Sequence, residues 1–364
     1  MGDSKPTVVV TGISGNLGRR LLPYLDEFDV IGVDMAPPAT DLPLRFESMD
    51  LGEEESCRQL FHLLRDSGAA ALVHLAFVLD PVRTGVLDVD RMWHINVAGT
   101  ARVMEAITEV NHDAPIVQKF IFPSSVAAYG SDLPEPVTED HPLGAHTLPY
   151  ALHKMESDKV VQQRAPALRG CSAYLLRPHI FAGASVENYM LGAFRGTPNG
   201  PGERAVRMRN RGTRLPCVLP FGRRYLDHRL QFVHVDDMAR LITYVLEKDE
   251  PESQRLTVLN VAGRGESLTF EHCVELAQAR LLRVPGKLAF ETILQTLWRL
   301  GISAIPPEVA PYMTGQYIMN TERLQKFLGE DYQDVIQYTI ADAFADCFKR
   351  AAPTPAEQPA AEQT

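Results

Sequence analysis

The chain has 364 residues, of which 45% are hydrophobic and 23% charged, with a formal net charge of −10. This composition can bury a large core, and its acidic balance argues against a nucleic-acid-binding protein, which normally carries a basic domain. Five scattered cysteines without a C-x-x-C pair, a polar N-terminus and the lack of any apolar run of 18 residues indicate a cytoplasmic protein without a signal peptide, membrane span or membrane partner.

Short apolar runs alternate with amphipathic stretches through the first half of the chain. The predicted strands are 7–10, 29–34, 70–76, 119–123 and 173–176, and the predicted helices are 16–26, 53–65 and 95–110. Near-continuous apolar strands separated by helices are typical of a parallel sheet that is covered on both faces. We therefore predict an α/β fold with a Rossmann-type doubly wound parallel sheet.

The second half of the chain is less regular. Residues 182–229 are rich in Gly, Pro and Arg and are predicted to be irregular. Apolar runs return at 231–235 and 257–261, and helical patterns at 238–246, 269–282 and 334–348. We expect a Rossmann domain from residues 1–181 and 230–263, a smaller C-terminal substrate-binding lobe from 182–229 and 264–350, and a disordered tail over 351–364.

A glycine-rich turn follows the first predicted strand. Gly12, Gly15 and Gly18 are spaced so that the backbone can turn tightly and approach a pyrophosphate. Asp34 ends the second strand, where a carboxylate can accept hydrogen bonds from an adenosine ribose and would repel a 2′-phosphate. NAD is therefore favoured over NADP, although Arg19 leaves NADP open.

Two further strand ends extend the same sheet edge. Asp50 follows the third strand and can accept from an adenine amino group, and the fourth strand ends at Leu75 and Ala76, over which a dinucleotide could pass. Each feature alone is an ordinary strand end. Their order along one edge favours a dinucleotide site.

Tyr150 and Lys154 are four residues apart, hence on one face of a predicted helix. A tyrosine normally has a pKa of about 10. A nearby ammonium and a nicotinamide cation would both lower this pKa toward the working range of a general base. The alternative is a Tyr–Lys pair on a solvated helix face.

Ser125 ends the fifth predicted strand and so faces the same cleft as the start of the next helix. Its hydroxyl could orient a substrate oxygen that Tyr150 protonates or deprotonates. Asn96 could hold a water or a backbone carbonyl in a proton relay, or could simply be an asparagine near a helix start.

These motifs follow one another in a recognisable order over residues 7 to 263. They are Gly12 to Gly18, Asp34, Asp50, His74-Leu75-Ala76, Asn96 to Thr100, Ser124-Ser125, Tyr129-Gly130, Tyr150 with Lys154, Leu176-Arg177-Pro178, Phe232 to Asp237, and Asn260-Val261. Because these motifs occur in this order, the sequence resembles an extended short-chain dehydrogenase/reductase of the NAD-dependent epimerase/dehydratase family.

The resemblance implies a Rossmann domain, a C-terminal substrate lobe, commonly a homodimer, and catalytic roles for Ser125, Tyr150 and Lys154. It also implies that Lys154 contacts the nicotinamide ribose and that Arg177 and Pro178 lie near the nicotinamide. The expected cofactor-binding residues are Gly12, Ser14, Gly15, Asn16, Leu17, Gly18, Asp34, Asp50, Leu51, Leu75, Ala76, Asn96, Lys154, Arg177 and Pro178.

The sequence departs from the family pattern at substrate-facing positions. Val126 and Ala127 stand where dehydratases carry Asp-Glu, which argues against a dehydratase. Ile180 replaces the usual asparagine of sugar-nucleotide epimerases, and Leu230 replaces an arginine that clamps the diphosphate. Arg229 could substitute after a small backbone shift, so Ser125 and Arg229 are the expected substrate-binding residues.

The segment 195–229 contains nine arginines against two acidic residues. Because arginine binds phosphate in a bidentate way, this segment could grip an anionic substrate, or it could be a solvated or dimer-facing loop. The histidines have no metal-ligand spacing, so we expect no metal site.

The sequence therefore predicts an NAD-dependent epimerase or dehydrogenase that acts on a secondary alcohol of a small molecule, with a nucleotide sugar as the first hypothesis. Ile180 and Leu230 favour the alternative, a dehydrogenase or reductase of a non-sugar alcohol, as in the 3β-hydroxysteroid dehydrogenase and dihydroflavonol reductase branches. A non-catalytic NAD-sensing protein is the third hypothesis, and the intact Ser125, Tyr150 and Lys154 set argues against it.

Overall fold

The computed structural model describes residues 5–38, 44–79, 88–133, 135–248 and 256–349. The predicted disordered tail lies outside these residues. The strands are β1 Thr7–Thr11, β2 Asp29–Asp34, β3 Arg45–Ser48, β4 Ala71–His74, β5 Lys119–Pro123, β6 Ser172–Pro178, β7 Ile180–Ala182, β8 Cys217–Pro220, β9 Arg229–Leu230, β10 Phe232–His234, β11 Leu256–Val261, β12 Leu268–Thr269 and β13 Leu281–Val284.

The helices run between and after these strands. They are α1 Asn16–Leu21, α2 Ser56–Ser67, α3 Val89–Trp93, α4 Gly99–Val110, α5 Pro149–Arg164, α6 Tyr189–Arg195, α7 Glu203–Asn210, α8 Arg223–Leu226, α9 Val235–Glu247, α10 Phe270–Leu276, α11 Gly286–Arg299, α12 Ala310–Thr314, α13 Glu322–Leu328, α14 Tyr332–Val335 and α15 Ile340–Asp346. A π-helical turn, His94–Ala98, joins α3 to α4.

Seven parallel strands form the central sheet, in the order β11-β6-β5-β4-β1-β2-β3. Successive residues of the inner strands are buried on opposite faces: in β5, Phe120 and Phe122 pack against α2, α4 and α5, whereas Ile121 packs against α9 and α13. Burial on both faces explains the near-continuous apolar runs of these strands. The predicted doubly wound Rossmann-type sheet is confirmed.

Within the described ranges, three two-stranded sheets stand outside the central one: β7 with β10, β9 with β12, and β8 with β13. A second core, which includes Phe194, Phe270 and Phe344, packs among them and reaches Ala127 and Ala151 beside the carboxyl end of β5. The C-terminal elements thus contact the sheet edge at which Ser125 and Tyr150 lie. The proposed domain boundaries remain a prediction.

Three sequence-based predictions of secondary structure are wrong. The helix predicted over 334–348 begins only at Ile340, after α14 has ended at Val335. Residues 182–229 are not irregular but contain α6, α7, β8 and α8. The prediction failed because the Gly and Pro residues of this segment lie between short helices and strands. The helix predicted over 269–282 ends at Leu276, the chain turns at Gln278 with φ +49°, and β13 then pairs with β8. A short apolar run such as 281–284 fits a strand as well as a helix turn.

Candidate active site

The glycine-rich turn brings the backbones of three strands together. Gly12 has φ +73°, and its amide donates to Val33 O at 2.8 Å. A Cβ on Gly12 would overlap the backbone nitrogen of Ala76, which itself donates to Thr11 Oγ1 at 3.3 Å. Only glycine fits here, since the conformation is left-handed and the approach is close. The predicted residues Gly12 and Ala76 therefore lie in contact at one sheet edge.

Asp34 lies beside this turn. Its carboxylate accepts from Ser14 N at 3.0 Å and from Met35 N at 2.8 Å. Asn16 points elsewhere, because its Nδ2 donates to Ser185 O at 2.9 Å and so links the glycine turn to the loop after β7. Leu17 packs into the core, and Gly18 is buried against Gly12 O and Ile13.

Asp50 already has partners in the protein. It forms an ion pair with Arg91 and accepts from Gly52 N at 2.8 Å. Leu51, the next residue, is buried, and its carbonyl accepts from Arg102 Nη1 at 3.0 Å. Sequence reasoning missed Arg91, because it lies on α3 and no spacing links it to the third strand.

Ser125 and Tyr150 are brought together. Ser125 caps a 3₁₀ turn, Val126–Tyr129, and its Oγ accepts from Ala127 N at 3.1 Å. Tyr150 follows Pro149 in the first turn of α5, and its hydroxyl lies close to Ser125. Burial raises the pKa of Tyr150, and the nearby Ser125 side chain opposes this effect.

Lys154 is buried on the same helix. Its Nζ donates to Pro123 O at 2.7 Å and lies 3.7 Å from the ring centre of Phe77 and 4.9 Å from that of Phe122. Burial lowers the pKa of Lys154 to about 7, and Asp158 acts in the opposite direction. The effect of Lys154 on the pKa of Tyr150 remains a prediction.

Asn96 lies in the π-helical turn and is fully buried. Its Oδ1 accepts from Val78 N at 2.7 Å, and its Nδ2 donates to Val78 O at 3.1 Å and approaches His153 Nδ1 at 3.2 Å. Its carbonyl accepts from Ser157 Oγ at 3.0 Å. The side chain thus holds a backbone carbonyl, that of Val78 just after β4, as one of the suggested roles required, and its part in a proton relay remains a prediction.

Arg177 is directed into the protein interior. Its Nε and Nη2 each donate to Asp158 at 2.9 Å, and its Nη1 donates to Tyr129 Oη at 2.7 Å and to Glu139 O at 2.8 Å. Burial disfavours the charge, but the carboxylate of Asp158 raises the pKa of Arg177 overall. The cofactor contact predicted for Arg177 and Pro178 would therefore depend on backbone rather than on the guanidinium.

Two of the positions predicted to face the substrate, Ile180 and Leu230, lie in apolar surroundings. Leu230 is fully buried, and Ile180 packs against a small cluster that includes Val126 and Tyr317. Arg229 is exposed and donates to Ser267 Oγ at 3.4 Å. Because neighbouring strand residues face opposite sides, Arg229 points away from the side on which Leu230 is buried.

Sequence reasoning missed His228, since no spacing marks it. It is 4% exposed, and neither ring nitrogen has a hydrogen-bond partner among the described residues. Burial lowers the pKa of His228 to about 4, against the influence of Asp132. The ring centre lies 6.1 Å from that of Tyr317. His228 is therefore an uncharged polar group close to the apolar substrate end.

The arginines of segment 195–229 do not act as one group. Arg195 and Arg209 donate to backbone carbonyls, whereas Arg223 pairs with Asp227 at 2.9 Å and Glu271 at 2.8 Å. The exposed arginines of this segment for which no side-chain hydrogen bond or ion pair is seen in the described part of the chain are Arg204, Arg211 and Arg214. Binding of an anionic substrate by this segment remains a prediction.

The buried histidine of β4 is structural. His74 is hydrogen-bonded to Thr11 Oγ1 at 2.7 Å and to Thr100 Oγ1 at 3.1 Å, and burial lowers its pKa to about 3. Within the described ranges, no group of three or more His, Cys, Asp or Glu side chains could hold a metal ion. In the same ranges, no helix has the length and apolar character to cross a membrane.

Comparison with known proteins gives two kinds of match. A model of the NAD dependent epimerase/dehydratase family matches residues 8–262. An uncharacterized epimerase/dehydratase of Staphylococcus aureus (strain USA300) is 26% identical over 162 residues, which are 43% of this chain and 47% of that protein. The match thus spans about half the length of this curated relative.

Two solved structures share the fold. The UDP-glucose 4-epimerase of Thermus thermophilus, in complex with NAD, is 18% identical with a TM-score of 0.65, covering 95% of this chain and 100% of that one. The UDP-Glc/GlcNAc 4-epimerase of Campylobacter jejuni is 18% identical with a TM-score of 0.64, covering 94% and 98%.

Proposed function

Because the chain belongs to the NAD dependent epimerase/dehydratase family, we propose that it binds NAD and transfers a hydride at a secondary alcohol, with Tyr150 as general acid–base. The observation that carries this proposal is that Ser125 and Tyr150 lie close together at the sheet edge formed by the glycine-rich turn. A sensor protein would not need this pair.

The described residues fit a dinucleotide. Gly12 and Gly15 form the tight turn after β1 beside which a pyrophosphate would lie, and the adjacent Asp34 carboxylate suits a ribose diol. Ser124 Oγ is buried at the end of β5 without a partner among the described residues, so a polar group can be bound there. Lys154 would hold the nicotinamide ribose. When bound, NAD supplies a nicotinamide ring that accepts a hydride from the carbinol carbon.

The protein residues handle the proton. Ser125 orients the substrate oxygen, and ionised Tyr150 removes its proton as the carbinol C–H bond breaks. For epimerisation, Tyr150 returns the proton to the same oxygen after the keto sugar has turned. For net dehydrogenation, the proton leaves to solvent. Val126 and Ala127 offer no carboxylate for elimination of water, so a dehydratase reaction is not proposed.

A nucleotide sugar is the substrate that we propose first, and the protein is then an epimerase or a dehydrogenase. We propose that it works in the cytoplasm as a homodimer. The two UDP-sugar epimerases that share the fold support this choice. The second candidate is a non-sugar alcohol. The buried Leu230, the packed Ile180 and the uncharged His228 favour it, because none of them can neutralise a diphosphate.

A substrate panel tests both candidates. The purified protein is incubated with NAD and with UDP-, GDP- and dTDP-sugars or free secondary alcohols, and epimers and NADH are followed by chromatography and absorbance. We expect a nucleotide sugar to be epimerised or oxidised. Turnover of a free alcohol with no reaction of any nucleotide sugar would establish the second candidate. NAD binding without turnover of either class would support the sensor hypothesis.

Asp34 is expected to set the choice of cofactor. Asp34→Asn keeps the shape but removes the charge that repels a 2′-phosphate, so the preference for NAD over NADP should fall by about tenfold or more, in line with about 1.5–3 kcal/mol for a hydrogen bond to a charged group. The two cofactors are compared by titration calorimetry. Asp113→Ala, which changes an exposed carboxylate, serves as the matched control. Equal use of both cofactors by the parent protein would remove the proposed role of Asp34.

A further inference from the structure

A buried histidine lies inside the candidate active site and has no part in the mechanism above. His153 directly precedes Lys154 on α5, follows Tyr150 by three residues, and is 6% exposed. Its ring approaches Asn96, which lies on the π-helical turn before α4. The two side chains meet between the catalytic helix and the backbone that leaves β4.

The orientation of the Asn96 amide is determined by its surroundings. The Val78 N–H can only donate, so the atom 2.7 Å away must be the amide oxygen. The Nδ2 group then has two hydrogens and two acceptors, Val78 O at 3.1 Å and His153 Nδ1 at 3.2 Å. Both hydrogens of the Asn96 amide and one of the two acceptor positions of its oxygen are thus used.

The tautomer of His153 follows from this orientation. Since Asn96 Nδ2 donates, His153 Nδ1 must accept and cannot carry a proton. The ring is then neutral, with its proton on Nε2. Burial also lowers the pKa of His153, which agrees with a neutral ring.

The backbone held by Asn96 also carries Phe77. The ring of Phe77 lies 3.7 Å from Lys154 Nζ and makes an edge contact with Tyr150, with ring centres 6.0 Å apart. The chain of contacts thus runs from Tyr150 through Phe77, Val78 and Asn96 to His153, and returns to Tyr150 along α5.

We propose that His153, as a neutral Nε2–H imidazole, is a positioning residue: it fixes the Asn96 amide, which clamps the Val78 backbone and keeps Phe77 on Lys154. Without an acceptor at residue 153, one N–H of Asn96 is left buried and unpaired, and the amide can turn away from Val78. The segment 76–78, which borders the dinucleotide site, is then no longer fixed. The effect on NAD rests on the proposed function, whereas the tautomer does not.

Nitrogen NMR of the ¹⁵N-histidine-labelled protein tests the clamp directly. The His153 signals are assigned by their loss in His153→Asn. We expect a protonated Nε2 and an unprotonated Nδ1 in the parent. In Asn96→Asp, a carboxylate oxygen replaces the Nδ2 donor, so a proton should move onto His153 Nδ1. A parent protein with a protonated Nδ1, or an unchanged tautomer in a folded Asn96→Asp protein, would overturn the proposal.

NAD titration supplies the functional readout. The oxygen of an asparagine at residue 153 can take the place of Nδ1, whereas leucine offers no acceptor. We expect His153→Leu to weaken NAD binding by about tenfold and His153→Asn to restore it to within about twofold of the parent. His112→Leu, at an exposed position, is the control. Equal affinity of the leucine and asparagine variants would contradict the role of His153. If the parent protein does not bind NAD, the proposed function is wrong. The NMR experiment would still show whether His153 Nδ1 accepts from Asn96.

Discussion

Tyr150→Phe is expected to lower kcat by about a thousandfold, within the range of about 10²–10⁴ that a general acid–base contributes. The phenylalanine ring fills the same space and keeps its contact with Phe77, so NAD binding should be retained. Steady-state rates together with NAD titration separate the two effects. Tyr244→Phe changes a hydroxyl on α9 that contacts Asp331 and is the matched control. Unchanged turnover in Tyr150→Phe would remove the catalytic assignment.

The pH dependence of kcat provides a second test of Tyr150 as the general acid–base. Burial raises the pKa of Tyr150 and the nearby Ser125 side chain acts against it, so the phenol is the predominant form at neutral pH before cofactor and substrate bind. Alcohol oxidation requires the ionised form, hence kcat should rise with pH. Carbonyl reduction requires the protonated form and should slow as the pH rises. Both trends should disappear in Tyr150→Phe.

Asp158→Ala is expected to lower the free energy of unfolding by about 3–5 kcal/mol, the usual cost of breaking a buried ion pair from one side. The side chains of Arg177 and Asp158 are 2% and 0% exposed, so the substitution leaves a guanidinium charge buried without its carboxylate. Urea unfolding followed by circular dichroism measures the change.

Two further variants test this explanation. Removing both charges, as in Asp158→Leu with Arg177→Met, should recover most of the loss, because no buried charge remains. Glu105→Ala removes an exposed partner of Arg164 and should cost at most about 1 kcal/mol. If Asp158→Ala costs no more than Glu105→Ala, the buried pair does not stabilise the fold as proposed.

The sequence predicted most of the central sheet because the strands other than β3 are largely buried and so appear as short apolar runs, whereas no residue of β3 is buried. The same reasoning placed Ser125 and Tyr150 at one sheet edge, where Ser125 opposes the rise in the pKa of Tyr150. It failed over 182–229, where each element is too short to show a period. Turn residues there separate α6, α7 and β8.

Side-chain directions could not be predicted in the same way. Lys154 has the expected spacing from Tyr150, but burial and the carbonyl of Pro123 direct its ammonium elsewhere. The partners of Asp50 and Arg177 lie on helices that no sequence period connects to them. No sequence pattern distinguishes His153 from other helix residues, because its partner Asn96 lies far away in the chain.

The position of β11 at one edge of the sheet has a consequence for protein synthesis. Its neighbour β6 is made long before it, yet β6 lacks a partner on its outer side until β11 has left the ribosome and docked. During that interval the nascent chain presents a row of unpaired N–H and C=O groups flanked by Tyr174, Leu175 and Leu176, and such an edge is a template for pairing with another chain. A fragment that ends before Leu256 therefore keeps this edge permanently and should aggregate on expression.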